Sequence, residues 1–203
     1  MLLDTNDLLL IDTAISKGGK SIWDDNTLNN VKKKIKDHYR GINGGKCCYC
    51  RKCFVGEFSM VIDIEHVLPK SIFPDFIFDS FNLNIACKRC NMSIKGQRTD
   101  FLVNEKTIHL NPQQSDQYKF IHPNLDNYED NLQHLVVVIG SKELIKYIPR
   151  KPKGTYTYEY FKLEQMEINS FDAAQGISFD RTEFSTSIPN YIVEQLLQMI
   201  DLL

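Results

Sequence analysis

The residues with the clearest chemical potential lie between positions 47 and 96. Two Cys-x-x-Cys pairs, Cys47/Cys50 and Cys87/Cys90, are separated by 36 residues. A Cys-x-x-Cys turn places both sulfurs on one side of a tight bend, and two such pairs are a common ligand set for a structural zinc ion. We therefore predict a closed tetrathiolate zinc site. Such a site leaves no open position for water, so catalytic chemistry must take place elsewhere.

Two further cysteines complicate the pairing. Cys53 forms a second Cys-x-x-Cys sequence with Cys50, and Cys48 lies directly beside Cys47. We favour the pair Cys47/Cys50 because Tyr49 lies between these two cysteines and can pack under their turn. Cys48 and Cys53 are then free thiols.

A carboxylate and a histidine stand side by side between the two cysteine pairs. Hydrolysis of a phosphodiester needs a base that activates water and an oxygen-bound divalent cation on the scissile phosphate. His66 titrates near neutrality (~6.5) in the absence of perturbation and can accept the proton. Glu65 offers a hard oxygen ligand, and the amide oxygen of Asn91 can bind a cation such as Mg²⁺. Asn82 can orient the His66 ring, with Asn84 as the alternative.

Positive charge is concentrated around these residues. Residues 31–98 contain 13 basic and six acidic side chains, a net charge of +7, whereas the rest of the chain carries −9. A basic module fits a substrate rich in phosphate. The predicted contacts to nucleic acid are the cations nearest the site: Lys70, Lys88, Arg89 and Lys95. The lysine-rich helix before it can either follow a nucleic-acid backbone or serve only solubility.

Hydrophobic periodicity indicates the elements that position these residues. Apolar side chains at helical spacing predict a helix over 28–40, and β-branched and aromatic residues predict strands over 58–64 and 82–86. A helix is expected to begin at 91–95, and the segment 122–127 is interpreted as a turn-rich linker. Further elements are strands over 135–139 and 156–163 and a terminal helix over 192–203.

These elements predict an α+β protein in three parts. Residues 1–45 form a helical lead-in, 46–100 the core with the cysteine pairs, and 101–203 a C-terminal accessory α/β lobe. No stretch approaches the 18 or so apolar residues of a membrane span. The N-terminus lacks the basic and apolar regions of a signal peptide, so we expect a cytoplasmic location with reduced cysteines and no membrane partner.

The series Cys-x-Tyr-Cys, Glu-His-x-x-Pro-Lys, Asn-Leu-x-x-x-Cys-x-x-Cys-Asn and Lys-Gly resembles the HNH nucleases. The similarity is to the branch whose ββα-metal core is braced by a four-cysteine zinc, and it covers about 50 of the 203 residues. It implies that His66 is the general base, that Glu65 and Asn91 bind the catalytic Mg²⁺ or Mn²⁺, and that Asn82 orients His66. Glu65 stands where the family has histidine or aspartate, and Asn91 replaces its last histidine.

The flanking sequence is similar to a narrower group, the HNH subunits of bacterial anti-phage systems of the Septu type. That resemblance implies a nuclease regulated by an ABC-type ATPase, for which the acidic flanks offer a docking surface. The family favours DNA over RNA as substrate. Two alternatives stay open: an RNA-cleaving HNH toxin acting on tRNA, and a zinc-ribbon module that binds nucleic acid without cutting it.

Overall fold

The structure is a computed structural model that describes residues 3–18, 22–139 and 142–169. The fold contains both helices and small sheets, which agrees with the mixed helix and strand content that the sequence predicts. Internal contacts divide the chain into two units. The first comprises Met1–Gln133 and Ile148–Leu163, and the second His134–Tyr147 and Glu164–Leu203. The predicted boundaries after residues 45 and 100 stay predictions.

The first unit begins with two helices, α1 (Thr5–Lys17) and α2 (Asn29–Ile42). Asp4 caps α1, and its side chain and that of Asp7 accept each other's backbone N–H groups, which satisfies two donors that the first turn leaves free. Lys34 of α2 lies 2.7 Å from the buried Asp7 carboxylate. This ion pair joins the two helices.

Helix α2 confirms the predicted helix over 28–40. Val31, Ile35 and Tyr39 form its buried face, and the lysines between them lie on the other faces. The helix ends before Gly44 and Gly45, which have φ of +58° and +68°, a region that glycine adopts without steric penalty. The chain then turns directly into the first cysteine pair.

A hairpin-like pair of short strands forms the centre of the unit. Strands β1 (Ile62–His66) and β2 (Leu83–Cys87) are antiparallel, with Ile64 opposite Ile85. The predicted strand over 58–64 is placed too early, since β1 begins only at Ile62. Ser59–Val61 forms a 3-10 turn instead, because β2 offers only five residues for pairing. A seven-residue π-helical segment, Arg89–Lys95, follows β2 where a helix is predicted.

The segment 122–127 is turn-rich, as predicted, but it does not run free as a linker, because its polar groups bond to neighbouring elements. His122 is fully buried, and the Asn124 amide donates to the backbone oxygens of Phe81 and Leu83 at 2.7 and 2.8 Å. The Asp126 carboxylate accepts from the His122 N–H and from Lys153, both at 2.7 Å. The Asn124 contacts fasten the segment to the start of β2, and the Asp126 contact fastens it to Lys153 in the segment Pro152–Tyr160.

The predicted strand over 156–163 is also wrong, since helix α4 (Pro152–Tyr160) occupies most of it. A four-residue helix, α3 (Tyr128–Asn131), precedes α4 in the chain. Pro152 favours a helix start because its φ is already helical. A Cβ at Gly154 would lie 1.8 Å from the Asn131 carbonyl oxygen, so glycine is needed for α3 and α4 to pack closely. The alternating tyrosines that suggested a strand lie on helical turns.

The second unit contains most of a three-stranded sheet in the order β3 (Leu132–Ile139), β4 (Lys142–Pro149), β5 (Ile168–Asn169). Strand β3 confirms the predicted strand over 135–139. Strands β4 and β5 are antiparallel. The helix predicted over 192–203 lies outside the described residues. Within the described ranges, no helix combines the length and hydrophobicity needed to cross a bilayer.

The burial of His122 predicts a pH-dependent stability. Burial lowers the pKa of His122 to about 3, so the folded protein keeps the ring neutral while the unfolded chain protonates it below about 6.5. The free energy of unfolding should therefore fall as pH decreases from 6.5 towards 4, by up to about 1.4 kcal/mol per pH unit from this residue. His122→Gln should reduce the slope in urea titrations between pH 7 and 5, leaving the part contributed by His66, whose pKa burial also lowers.

His109→Gln, at an exposed ring, is the matched control for that measurement. It should leave the slope of the wild type unchanged. A His122→Gln protein with the full wild-type slope would contradict the assignment of the pH dependence to this ring.

Candidate functional site

The four predicted zinc ligands come together in the structure. One ligand atom from each of Cys47, Cys50, Cys87 and Cys90 lies within 4.8 Å of all the others, and all four residues are buried. The Sγ atoms of Cys50 and Cys87 are 3.7 Å apart. Two sulfurs at ~2.3 Å from one tetrahedral zinc ion are about 3.8 Å apart, so the spacing fits the ion. The cluster can hold a structural zinc.

Cys48 and Cys53 lie outside this cluster, as predicted. The Cys48 thiol is buried, and burial raises its pKa well above the usual range. The Cys53 side chain is exposed and accepts the backbone N–H of Val55. The choice of Cys47 over Cys53 as the partner of Cys50 is therefore confirmed.

Backbone hydrogen bonds attach the first cysteine turn to strand β2. The Cys48 N–H donates to the Ile85 oxygen at 3.0 Å, and the Cys87 N–H donates to the Cys47 sulfur at 3.3 Å. Tyr49 packs beneath the turn as predicted, with its ring 4.2 Å from that of Phe161. The cysteine cluster thus holds β2 and an aromatic core at fixed positions.

His66 ends β1 at the wall of a cleft of about 1050 Å³. Its Nε2 lies 3.0 Å from the Ile77 carbonyl oxygen, and its ring makes a T-shaped contact with the Trp23 ring, with centroids 4.4 Å apart. A carbonyl can only accept, so Nε2 carries the proton and Nδ1 keeps its lone pair. Burial, with a contribution from Lys70 and Lys95, lowers the pKa of His66 to about 4. The imidazole is therefore neutral at pH 7, with the Nδ1 lone pair available, and the same lowered pKa makes it a weaker base than an exposed histidine.

Neither asparagine proposed to orient His66 forms a hydrogen bond with its ring. Asn82 accepts from the Leu68 N–H at 2.6 Å and donates to the oxygens of Leu68 and Phe76. It fixes the loop that carries Ile77, and Ile77 in turn holds the imidazole. Asn84 instead accepts from Asn43 and donates to Asn124. The support of Asn82 for His66 thus runs through the loop backbone and not through a direct hydrogen bond.

Glu65 lies in the core, away from solvent. Its Oε1 is 2.9 Å from the Lys95 ammonium and accepts the Tyr49 hydroxyl at 3.0 Å, and the side chains of Glu65 and Lys95 are 0% and 1% exposed. Burial raises the pKa of Glu65, while the ion pair with Lys95 opposes that shift. Removing one member of such a buried pair typically costs on the order of 3–5 kcal/mol, so this contact is a structural tie.

Asn91 is paired with a different carboxylate. Its amide lies 3.2 Å from Oδ2 of Asp63, whose other oxygen is 2.9 Å from the Lys88 ammonium. Asp63, Lys88, Asn91 and His66 all line the cleft. Asp63 was missed by the sequence analysis, although its position two residues before Glu65, and so on the same face of a strand, was a readable signal.

The cleft is strongly basic. Helix α2 forms one side of it, and the lining contains seven cationic side chains against two carboxylates, those of Asp37 and Asp63. Burial lowers the pKa of Lys36, with Lys88 acting in the same direction and Asp63 against it. The cations are Lys32, Lys33, Lys36, Arg40, Lys70, Lys88 and Lys95.

The four predicted nucleic-acid contacts have different surroundings. Lys70 and Lys88 are exposed at the cleft. Lys95 lines the cleft, but its ammonium group is in an ion pair with Glu65. The Arg89 guanidinium donates to the backbone oxygens of Phe161 and Lys162. Helix α2 contributes four of the seven cations that line the cleft, more than the predicted contacts do. His38, His109 and His134 do not line the cleft.

The fold and the site define a mixed α/β protein with a four-cysteine cluster and a basic cleft containing a neutral histidine. Among known proteins, Septu protein PtuB of Bacillus thuringiensis is 26% identical to the chain over 151 residues, 74% of this chain and 46% of PtuB. Protein ea31 of Escherichia phage lambda is 32% identical over 76 residues, 36% of this chain and 24% of ea31. The matches thus span about half the length of PtuB and about a quarter of ea31. No family model matches the chain, and no solved structure matches it significantly.

Removal of zinc should unfold the site. Cys87→Ser is expected to reduce the zinc content from one ion per chain to none and to lower the melting temperature by on the order of 10 °C, because metal binding supplies folding free energy. A chromogenic chelator and thermal denaturation measure the two effects. Cys53→Ser, at an exposed thiol, should change neither. One tightly held zinc in Cys87→Ser would contradict the assignment.

Proposed function

We propose that the protein is a metal-dependent endonuclease with an HNH-type ββα-metal core that hydrolyses phosphodiester bonds, in DNA in preference to RNA. The observation that carries the proposal is a buried, neutral His66 on the wall of a cleft lined by seven cations. The order of β1, β2 and the π-helical segment around the four-cysteine cluster supports the same core.

His66 would act as the general base. The bond from Nε2 to the Ile77 oxygen fixes the ring and leaves the lone pair of Nδ1 to accept a proton. Nδ1 would take a proton from water as the water oxygen attacks phosphorus. The bond from phosphorus to the 3′ oxygen then breaks, and that oxygen leaves with the electron pair and takes up a proton from solvent. The edge contact with Trp23 limits rotation of the ring.

A divalent cation, Mg²⁺ or Mn²⁺, would supply Lewis-acid stabilisation of the phosphate and of the leaving oxygen. Oxygen donors suit these ions, and the cleft offers amide and carboxylate oxygens at Asn91 and Asp63. Glu65, the ligand implied by the HNH resemblance, is held in its ion pair with Lys95.

The basic lining would bind the phosphate backbone. Lys33 and Lys70 are exposed lysines on the cleft, and Lys32, Lys36 and Arg40 of α2 add to its positive lining. Clefts with one sign of charge concentrate ligands of the opposite sign. Nucleic acid is the polyanion that presents a series of phosphates to such a surface.

The similarity to Septu protein PtuB supports a role in anti-phage defence. In this role the chain would act in the cytoplasm as the nuclease effector, with an ABC-type ATPase as its regulatory partner. The matched region includes most of the chain, so the resemblance extends beyond the 50 residues around the cysteines.

The central test is cleavage by purified protein. Wild type, with Mg²⁺ or Mn²⁺ and with a co-expressed candidate ATPase where needed, should cut plasmid DNA, and His66→Ala should reduce the rate at least about 100-fold because the general base is lost. EDTA should abolish cutting. Plasmid, single-stranded DNA and total tRNA are tested in parallel with both proteins.

The outcomes separate the alternatives. Preferred cutting of tRNA would identify an RNA-cleaving toxin. Binding without cleavage, unchanged in His66→Ala, would indicate a zinc-ribbon binding module. Trp23, the single tryptophan, lines the cleft beside His66, so its fluorescence reports whether nucleic acid enters at all.

Binding should depend on the cleft lysines. Lys33→Gln/Lys70→Gln is expected to weaken binding of duplex DNA and to reduce the salt dependence of log K by roughly 1 to 2, since each phosphate contact contributes about 0.9 to the slope. Lys52→Gln/Lys106→Gln removes the same charge from exposed residues outside the cleft lining. Equal slopes for the two double variants, from fluorescence titrations at several salt concentrations, would contradict binding in the cleft.

A further inference from the structure

Large apolar side chains stand exposed at the border of the basic cleft. Phe58 and Met60 are 66% and 76% exposed, and in the sequence they flank Ser59, which lines the cleft. Met92 is 64% exposed and is itself part of the lining. We call Phe58, Met60 and Met92 the apolar rim. Its members come from two separate segments, the 3-10 turn before β1 and the π-helical segment after β2, and both segments border the same cleft.

The turn that carries Phe58 and Met60 is held in place by a cation of α2. The Lys36 ammonium donates to the backbone oxygen and the hydroxyl of Ser59 at 3.2 and 3.3 Å, and to the Ile62 backbone oxygen at 2.7 Å. These contacts can use all three donors of an ammonium group. Lys36 therefore fixes the turn against α2, so the exposed side chains project from an anchored backbone.

The cleft and the apolar rim together match the two kinds of surface on a strand of nucleic acid. Cations bind phosphates, and exposed apolar or aromatic side chains pack against the faces of bases. In a regular duplex those faces are stacked on one another. Phe and Met side chains reach them only where bases are unstacked, or where such a side chain enters between two base pairs and kinks the duplex.

The concave shape of the cleft favours this occupant over the other surfaces that cover apolar side chains. A strand of nucleic acid can place its phosphates in the cleft and its bases against the rim, which a flat lipid surface cannot do. The neutral ring of His66 lies in the same cleft. The phosphates next to an unstacked base would therefore lie in the cleft that contains the proposed general base.

We infer that the apolar rim recognises unstacked bases, so that the preferred substrate is DNA with unpaired or distorted positions and not a regular duplex. Phe58 is the principal contact, because its aromatic ring can stack on a base. The inference rests on the proposed function for its substrate, and it adds the structural class of DNA that the site selects.

Binding to two duplexes of equal length and charge tests the inference. One is fully paired, and the other has three consecutive mismatches at its centre, with 2-aminopurine among them to report stacking by its fluorescence. Zinc-loaded wild type, without added Mg²⁺ or Mn²⁺, should bind the mismatched duplex at least about fivefold more tightly, the lower end expected for one base stacked on an aromatic side chain.

The variant that tests the rim replaces all three of its members: Phe58→Gln/Met60→Gln/Met92→Gln. It should bind the two duplexes within about twofold of each other and keep most of the affinity for the paired duplex, because the cations of the cleft are unchanged. Phe58→Trp should retain the preference. Zinc content and melting temperature show whether each variant is folded.

The matched control changes three exposed apolar residues outside the cleft lining: Leu9→Gln/Val103→Gln/Leu110→Gln. It should keep the wild-type preference. Equal affinity of wild type for both duplexes, the full preference in the folded rim variant, or an equal loss in the control would overturn the inference. Equal affinities with a sedimenting mass that falls from dimer to monomer in the rim variant would assign the rim to a second copy of the chain.

The titrations record binding only, so this inference and the proposed function can fail separately. A preference for the mismatched duplex in a protein that cuts no nucleic acid would refute the nuclease and leave the role of the rim. Cleavage of plasmid DNA that depends on His66, without any preference in binding, would refute the role of the rim and leave the nuclease.

Discussion

The convergence of four buried sulfurs is the constraint on which the rest of the first unit depends. It closes a long loop onto itself, brings the Cys47 turn to the end of β2, and fixes the start of the π-helical segment at Cys90. A strand pair of five residues is too short to be stable by itself. Bound zinc would supply the missing free energy at the point where the three elements meet.

The two neighbours Glu65 and His66 show how one short strand serves both structure and chemistry. Successive side chains of a strand point to opposite sides, so adjacent residues cannot share one environment. Glu65 is directed into the core, where it binds Lys95 and Tyr49, and His66 is directed to the Ile77 loop and Trp23. The buried ion pair thereby links the first cysteine turn to the strand that carries the histidine.

Much of this centre was predictable because it depends on local spacing. Paired cysteines, the apolar period of α2 and the Glu-His doublet at a strand end each reflect a short-range rule, and the cysteine cluster, α2 and β2 are found where they were expected. The partners of side chains depend on packing between distant segments. Spacing could not show that Asn91 meets Asp63 rather than Glu65, or that Ile77 and not Asn82 holds His66. Helix α4 was mistaken for a strand because its tyrosines alternate while Pro152 and Gly154 decide the packing.

Anomalous diffraction from crystals of the zinc-loaded protein soaked in Mn²⁺ tests the account most directly, because it locates each ion among its ligands. The account predicts a zinc peak between the sulfurs of Cys47, Cys50, Cys87 and Cys90 and a manganese peak inside the basic cleft that His66 lines. Zinc anywhere other than the four sulfurs, or manganese bound only outside the cleft, would contradict it.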